Sequence, residues 1–178
     1  MSLEYNMKQE NHRTSSRIRR QRGYHWEDTI VKRFNSVDGW KAFRLGSPST
    51  GLPDILAVST KSNSIFTIEA KSGTGTSLPV PAEQIERCNN WIKTFDIYQD
   101  RKVILAFKFL SKKRIGVGEY QNRQLREFFK VWDNSLEFSN CVCTYEGDIF
   151  IHTNGKRERI NLDECKMPFK TKYRHSDQ

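Results

Sequence analysis

The sequence predicts an α/β fold in which helices flank a central mixed β-sheet, and three kinds of segment support this. The first is an amphipathic helix, "YHWEDTIVKRFNSV". At about 100° per residue, its apolar residues fall on one continuous arc: Trp26, Ile30, Val31, Phe34 and Val37. The second is a set of strand-like segments, "WKAFRL", "DILAV", "IFTIEAK" and "KVILAFKF", of which the last is apolar enough to be covered on both faces. The third is a second helix, "PAEQIERCNNWIKTF", which begins at Pro81.

Composition limits the class of protein. A length of 178 residues predicts one domain, with room for an appendage. A formal net charge of +9 indicates a polyanionic partner, most often nucleic acid, although an ordinary basic protein is the alternative. The chain lacks both an apolar window of membrane-spanning length and the apolar core of a signal peptide, so we predict an intracellular protein, cytoplasmic and chromosome-associated. Its four cysteines are too sparse for a disulfide framework, which favours a reduced compartment.

The first 23 residues are polar and include "HRTSSRIRRQR", which has five arginines and no acid. Such a segment cannot bury enough apolar surface to fold alone. Two interpretations are equally open: a solvated terminus, or an arm that lies on phosphates. In the second, the candidate DNA contacts are Arg19, Arg20 and Arg22.

Three acids occupy positions that otherwise favour burial. Glu27 falls at about 100°, inside the apolar arc of the first helix. Asp54 begins the strand "DILAV", and Glu69 shares one strand face with Lys71. Charges in apolar segments are costly unless they are paired or bound. Converging carboxylates without nearby His or Cys suit Mg²⁺ or Mn²⁺, an ion that can activate water at a phosphodiester. A structural salt-bridge cluster is the alternative.

These residues resemble a known nuclease signature. Pro53 and Asp54, then fourteen residues, then "EAK" look like the PD-(D/E)xK motif. The order of "RGYHWE", "AFRLGSPSTGLPDILAV", "FTIEAKS", a Gln-bearing helix and "VILAFKF" is similar to that of the archaeal Holliday junction resolvases, over about residues 20–118. The resemblance implies a restriction-endonuclease-like core with its acids clustered at one edge of the sheet.

The resemblance also implies roles for individual residues. Glu27, Asp54 and Glu69 would bind the metal, and Lys71 would be the catalytic lysine. Arg44 would hold a phosphate, with a structural ion pair as the alternative. The substrate-binding set would further include Ser47 or Ser49 and Gln84. Trp91 and Phe95 match aromatic positions that help to pair two subunits, although plain core packing is equally open.

The sequence also departs from the family. Asp28 follows the helix acid where the family commonly has an arginine. We divide the chain into an arm at 1–23, a nuclease core at 24–120 and an extension at 121–178. In the extension, "NRQLREFFKVW" predicts a helix. A three-stranded meander follows, with turns at 146–147 and 154–155, and the end is a basic tail. Four residues of this part could form a zinc site or serve as ordinary strand residues: Cys141, Cys143, His152 and Cys165.

The function implied is a Mg²⁺-dependent endodeoxyribonuclease, with Mn²⁺ able to substitute. It would resolve four-way DNA junctions by paired phosphodiester cleavage as a homodimer. Two other readings stay open at this point. One is a nuclease of the same superfamily that acts on flaps, mismatches or a restriction site. The other is a nucleic-acid-binding protein without catalysis.

Overall fold

The computed structural model of the chain describes residues 21, 23–46, 51–133 and 140–171. Helix α1 covers residues 23–35. The other elements, in chain order, are β1 (Lys41–Arg44), β2 (Ile55–Ser59), β3 (Ser64–Gly73), β4 (Ser77–Pro81), α2 (Ala82–Lys93), β5 (Asp100–Phe109), β6 (Lys112–Arg114), β7 (Tyr120–Asn122), β8 (Arg126–Val131), β9 (Asn140–Thr144), β10 (Ile149–Thr153) and β11 (Lys156–Ile160).

A five-stranded mixed sheet forms the centre of the molecule, in the order β1-β2-β3-β5-β8. Strands β3 and β5 are parallel and are joined through β4 and α2, whereas the remaining pairs are antiparallel. A parallel pair needs a crossover of this kind, since its second strand must start again at the same edge. The predicted α/β fold with a central mixed sheet is confirmed.

The two faces of this sheet are covered by different elements. Helix α1 packs the apolar residues Trp26, Ile30 and Phe34 on one face. On the other face, α2 packs Ile85, Cys88 and Ile92. A second sheet, in the order β11-β10-β9-β4, covers the rest of that face. The sheet is therefore buried on both sides, and this explains the nearly continuous apolar run in β5.

The helix predicted at "NRQLREFFKVW" is wrong, because residues 126–131 form strand β8, which pairs antiparallel with β5. The adjacent aromatics Phe128 and Phe129 satisfy a helical arc, but in the structure they point into cores on opposite faces of the sheet. A short apolar run is compatible with the periodicity of a helix and with that of a strand. Here, pairing with the edge of β5 favours the strand.

The predicted three-stranded meander is confirmed as β9, β10 and β11. Its second turn has positive φ at both Asn154 and Gly155, as a tight hairpin turn requires. Strand β9 also pairs with β4, which lies in "SGTGTSLPV", a segment whose Gly, Ser and Thr content is typical of a flexible loop. The prolines of β4 are tolerated because this strand is at the edge of its sheet. The predicted extension thus shares both sheets with the predicted core.

The segment that follows β11 packs against the rest of the protein, and this includes the first residues of the predicted basic tail. The backbone of Val131 donates to Asp163, and that of Cys165 donates to Phe129, so residues 163–165 run along the free edge of β8. Met167 is buried, and the Phe169 ring packs edge-to-face against Phe34 and Phe129. Residues 172–178, the rest of the predicted basic tail, lie outside the described part. Neither helix α1 nor helix α2, as far as they are described, is long and apolar enough to cross a membrane.

Candidate active site

The site begins with Asp54, which lies directly before strand β2. Strand β2 pairs antiparallel with β3 so that Ile55 is opposite Ile68. This register brings the Asp54 carboxylate to the backbone of β3, where its Oδ2 accepts a hydrogen bond from the Ala70 amide at 2.9 Å. The carboxylate is thereby fixed to the backbone of β3, in a cavity that it shares with Glu69 and Lys71.

Glu69 and Lys71 project from the same face of β3. Lys71 Nζ donates to Glu69 Oε1 at 2.5 Å, while Glu69 Oε2 is buried and accepts no hydrogen bond. The strand carrying them is held by α2, because Thr67 Oγ1 donates to the Cys88 carbonyl at 3.1 Å. Glu69 is 1% exposed and Lys71 is half-buried, so the lysine is the one that reaches toward solvent.

Helix α1 brings the third acid from the opposite face of the sheet. The helix is fixed by a buried hydrogen bond from Trp26 Nε1 to the carbonyl of Ala106 on β5, at 3.2 Å. Glu27, the next residue, is 7% exposed. It lines a cavity of about 260 Å³ together with Asp54, Glu69 and Lys71. Three acids and a lysine from separate segments of the sequence therefore meet at one edge of the central sheet.

The electrostatics of this cavity oppose ionisation of two of its acids. Burial raises the pKa of Glu27 to about 7, and the charge of Asp54 adds to the rise. Burial also raises the pKa of Glu69 to about 7, although the Lys71 ammonium opposes that change. Because the carboxylates are desolvated and close to one another, ionisation of all three is unfavourable unless further positive charge is bound beside them.

The donor atoms of the cavity suit a hard cation, but the side chains are not arranged around one point as metal ligands. Among the described residues, no three His, Cys, Asp or Glu side chains stand close enough together to hold a metal ion as they are. Protein cations contact two of the acids instead: Lys71 is against Glu69, and Arg44 Nε is 3.9 Å from Glu27 Oε2. Glu69 Oε2, which accepts no hydrogen bond, and the all-oxygen donor set are what Mg²⁺ or Mn²⁺ prefers.

Arg44 is at the end of β1, on the side of α1. Its guanidinium lies over the Tyr24 ring, 4.9 Å from the centroid, and donates to Asp28 Oδ1 at 3.3 Å. Asp28, the residue that departs from the family pattern, is therefore a partner of Arg44. Both the predicted phosphate role and the ion-pair alternative remain compatible with this half-exposed position.

Sequence reasoning missed Arg87 on α2. It lines the same cavity, its Nη2 is 4.0 Å from Glu69 Oε2, and its buried Nε has no hydrogen-bond partner. Gln84, one turn earlier, also lines the cavity, and its Oε1 is buried and unpartnered. The only sequence signal for Arg87 is its place one turn after Gln84, which puts both side chains on one helix face.

The remaining predicted residues that the structure describes do not line this cavity. Trp91 and Phe95 form a half-buried aromatic pair on α2, with ring centroids 6.2 Å apart, and Trp91 Nε1 donates to the Gly51 carbonyl. The cysteines do not form a zinc site: Cys141 and Cys143 are in the core under the second sheet, whereas Cys165 is in the core under α1. Ser47 and Ser49, like Arg19, Arg20 and Arg22, lie outside the described residues.

In the metal-free protein, Glu27 and Glu69 are expected to lower the free energy of unfolding as pH rises from 4.5 to about 7. Between pH 4.5 and about 7 the folded protein keeps protons on these two acids that the unfolded chain has already lost. The resulting stabilisation of the folded state is therefore fully present below pH 4.5 and is lost as pH rises past about 7. Urea unfolding at several pH values in chelator measures it. Glu69→Gln should flatten this pH dependence, whereas Glu158→Gln, at an exposed position on β11, should not. Equal pH dependence in the two variants would contradict the expectation.

The fold and this cavity define a class of protein. A mixed sheet with an acid before one strand, an acid and a lysine two residues apart on the next, and a further acid from a flanking helix is a nuclease core of the restriction-endonuclease-like class. The family model described as archaeal Holliday junction resolvase (Hjc) matches residues 18–135, more than half of the chain. The chain therefore belongs to this family, whose members are nucleases of branched DNA.

A solved structure is also similar. It is that of Hjc, a Holliday junction resolvase from Archaeoglobus fulgidus, with 16% sequence identity and a TM-score of 0.48. The match covers 70% of this chain and 85% of that chain. Comparison with curated protein sequences finds no match.

Proposed function

We propose that the chain is a Mg²⁺-dependent endonuclease that resolves four-way DNA junctions by paired cuts. The observation that carries this proposal is the single cavity lined by Glu27, Asp54, Glu69 and Lys71 at one edge of the sheet. Membership of the resolvase family supplies the substrate class. The net charge of +9 suits a polyanionic substrate.

The three acids would hold the divalent ion. Asp54 is held by the backbone of β3, and Glu69 offers Oε2, which accepts no hydrogen bond. When bound, Mg²⁺ supplies an activated water and neutralises charge at the scissile phosphate, and Mn²⁺ can substitute because it accepts the same oxygen ligands. The raised pKa values of Glu27 and Glu69 mean that ion binding would also release protons from these acids near neutral pH.

The basic residues would act on the substrate and on the acids. Lys71 Nζ is a donor at the mouth of the cavity, suited to stabilise negative charge that develops on a phosphate oxygen. Arg87 would act as a positioning residue, because its guanidinium lies 4.0 Å from Glu69 Oε2 and attracts that carboxylate. Arg44 presents a guanidinium stacked on Tyr24, a geometry suited to bidentate contact with a phosphate.

Paired cuts require two such sites. We propose a two-fold homodimer, with Trp91 and Phe95 as candidate interface residues because the pair is only half-buried on α2. The arginines at 19, 20 and 22 would contact DNA phosphates. Their predicted salt-dependent binding to phosphates remains part of the proposal.

A matched cleavage panel tests the proposed substrate. A four-way junction, a flap and a linear duplex of shared sequence are incubated with the protein in Mg²⁺, in Mn²⁺ and in chelator. We expect symmetrical nicks in the junction with either metal, at least about tenfold slower cutting of the flap and duplex, and no cutting in chelator. Equal cutting of all three DNAs would contradict junction selectivity. Binding without any cleavage would identify a catalytically silent protein.

A further inference from the structure

A separate hairpin projects from the molecule next to the active site. Strands β6 and β7 pair only with each other, and we refer to residues 110–123, which contain them, as the basic hairpin. Its tip carries three large apolar side chains in water: Val117 is 93% exposed, Ile115 58% and Tyr120 46%. These three side chains are neighbours on one hairpin, and grouped exposed apolar residues, unlike scattered single ones, are typical of contact surfaces.

The charge of the hairpin indicates the kind of partner. Residues 110–123 contain Lys112, Lys113, Arg114 and Arg123 but a single acid, Glu119. An apolar tip between basic flanks matches DNA, whose phosphates would meet the lysines while the bases present apolar faces.

The hairpin is fixed at the edge of the sheet that carries the active site. Strands β3 and β5 are parallel, with Lys71 opposite Phe107 and Gly73 opposite Phe109. Strand β5 therefore ends beside the end of β3, the strand that carries Glu69 and Lys71. Backbone hydrogen bonds then join the two segments: Leu110 donates to Gly73 at 2.9 Å, and Arg114 donates to Thr74 at 3.0 Å. The base of the hairpin therefore lies beside the end of β3 that carries Lys71.

The tip is ordered before any partner arrives. The Ile115 amide donates to the Glu119 carbonyl at 3.1 Å, and Arg114 Nε donates to the Gly116 carbonyl at 3.1 Å. At the base, the Arg123 side chain donates to the Leu110 carbonyl and stacks over the Tyr145 ring. Ordering the tip in advance lowers the entropy lost on binding.

We propose that the basic hairpin docks at the branch point of the junction. Ile115 and Val117 insert between bases that are incompletely stacked there, and Lys112 and Lys113 contact the flanking phosphates. The proposal rests on the proposed function, since it places the branch point beside the cleavage site. A continuous duplex would have to be unstacked to accept the tip, whereas a branch point is already open, and this difference gives the hairpin a role in selecting branched DNA.

The apolar part is tested without cleavage. A four-way junction with 2-aminopurine at the branch point is titrated with protein in chelator, and fluorescence and affinity are recorded. The wild type should raise the fluorescence, as insertion unstacks the probe. The double variant Ile115→Ser, Val117→Ser should bind the junction about tenfold or more weakly and lose the rise, with duplex affinity unchanged. Ile97→Ser is the matched control, because Ile97 is 79% exposed and precedes β5, at the other end of the sheet.

The basic part has its own readout. The double variant Lys112→Ala, Lys113→Ala should reduce the slope of log affinity against log salt by about 2, as expected when two phosphate contacts are lost. Lys61→Ala, in the turn between β2 and β3 at the far edge of the sheet, should leave the slope unchanged.

The outcomes separate this inference from the proposed function. If the wild type cuts junctions and the serine double variant keeps the fluorescence rise and affinity, the hairpin proposal is wrong and the nuclease proposal stands. If the wild type cuts no DNA but the serine variant loses junction binding, the nuclease proposal is wrong and the hairpin proposal stands. A serine variant that changes only the oligomeric state in light scattering would identify a protein contact and overturn the DNA assignment.

Discussion

Replacing Asp54 with asparagine is expected to lower the single-turnover rate of junction cleavage by at least about 10³-fold, which corresponds to about 4 kcal/mol of transition-state stabilisation. The exchange removes the charge that would bind the ion. It can keep the hydrogen bond from the Ala70 amide, because an asparagine oxygen also accepts. Folding and junction affinity should therefore stay close to those of the wild type. The rate is measured with enzyme in excess over labelled junction in Mg²⁺, and affinity is measured by gel shift in chelator.

The matched control for this variant is Asp38→Asn. Asp38 is an exposed acid that pairs with Lys61 at the opposite edge of the sheet, so the exchange should leave cleavage unchanged. A cleavage rate for Asp54→Asn within tenfold of the wild type would remove Asp54 from the metal site. Equal losses of cleavage and of junction affinity would instead indicate that the exchange damages the fold or the DNA surface.

Replacing Arg33 with alanine is expected to lower the free energy of unfolding by about 3–5 kcal/mol. Arg33 on α1 forms a bidentate ion pair with Glu127 on β8. The distance from Nη1 to Oε2 is 2.6 Å, and that from Nη2 to Oε1 is 3.0 Å. The Glu127 side chain is 1% exposed, so loss of its partner leaves a buried carboxylate without compensation. Arg33 also lies over the Trp26 ring, and that packing is lost as well. Urea unfolding at neutral pH measures the change.

Two further variants show whether the loss comes from the unpaired charge. Arg33→Met combined with Glu127→Leu removes both charges and keeps apolar volume, so it should recover most of the stability. Lys61→Ala breaks an ion pair whose side chains are 72% and 89% exposed, and it should cost less than about 1 kcal/mol. A loss below about 1 kcal/mol for Arg33→Ala would mean that α1 and β8 do not depend on this pair.

The residues proposed to carry the chemistry could be identified in the sequence because their positions break local rules. An acid inside the apolar arc of α1 and charges within strand-like runs have few structural explanations, and the spacing from Asp54 to Glu69 matches two paired strands with a tight turn. The structure brings Glu27, Asp54, Glu69 and Lys71 to one cavity, as this reasoning predicts.

The sequence by itself also determined the meander, because its second turn carries the Asn-Gly pair that a tight hairpin requires. Local signals of this kind are strong where a few neighbouring residues fix the backbone. The sequence could not determine strand β8, since Phe128 and Phe129 fit a helix and a strand equally well until the edge of β5 is available for pairing. The same holds for β4, whose prolines disfavour a strand but whose position at a sheet edge permits one.

Only the tertiary structure revealed the partners that act across distant segments. The pairing of Arg33 with Glu127 joins residues 94 positions apart, and Arg87 reaches Glu69 only because α2 crosses back over β3. Likewise, only the hydrogen bonds to Gly73 and Thr74 show that the basic hairpin lies beside the active site. Residue type and spacing determined which side chains are too costly to bury without a function. Chain topology decided which of them meet, because contacts between distant segments depend on strand order and not on local pattern.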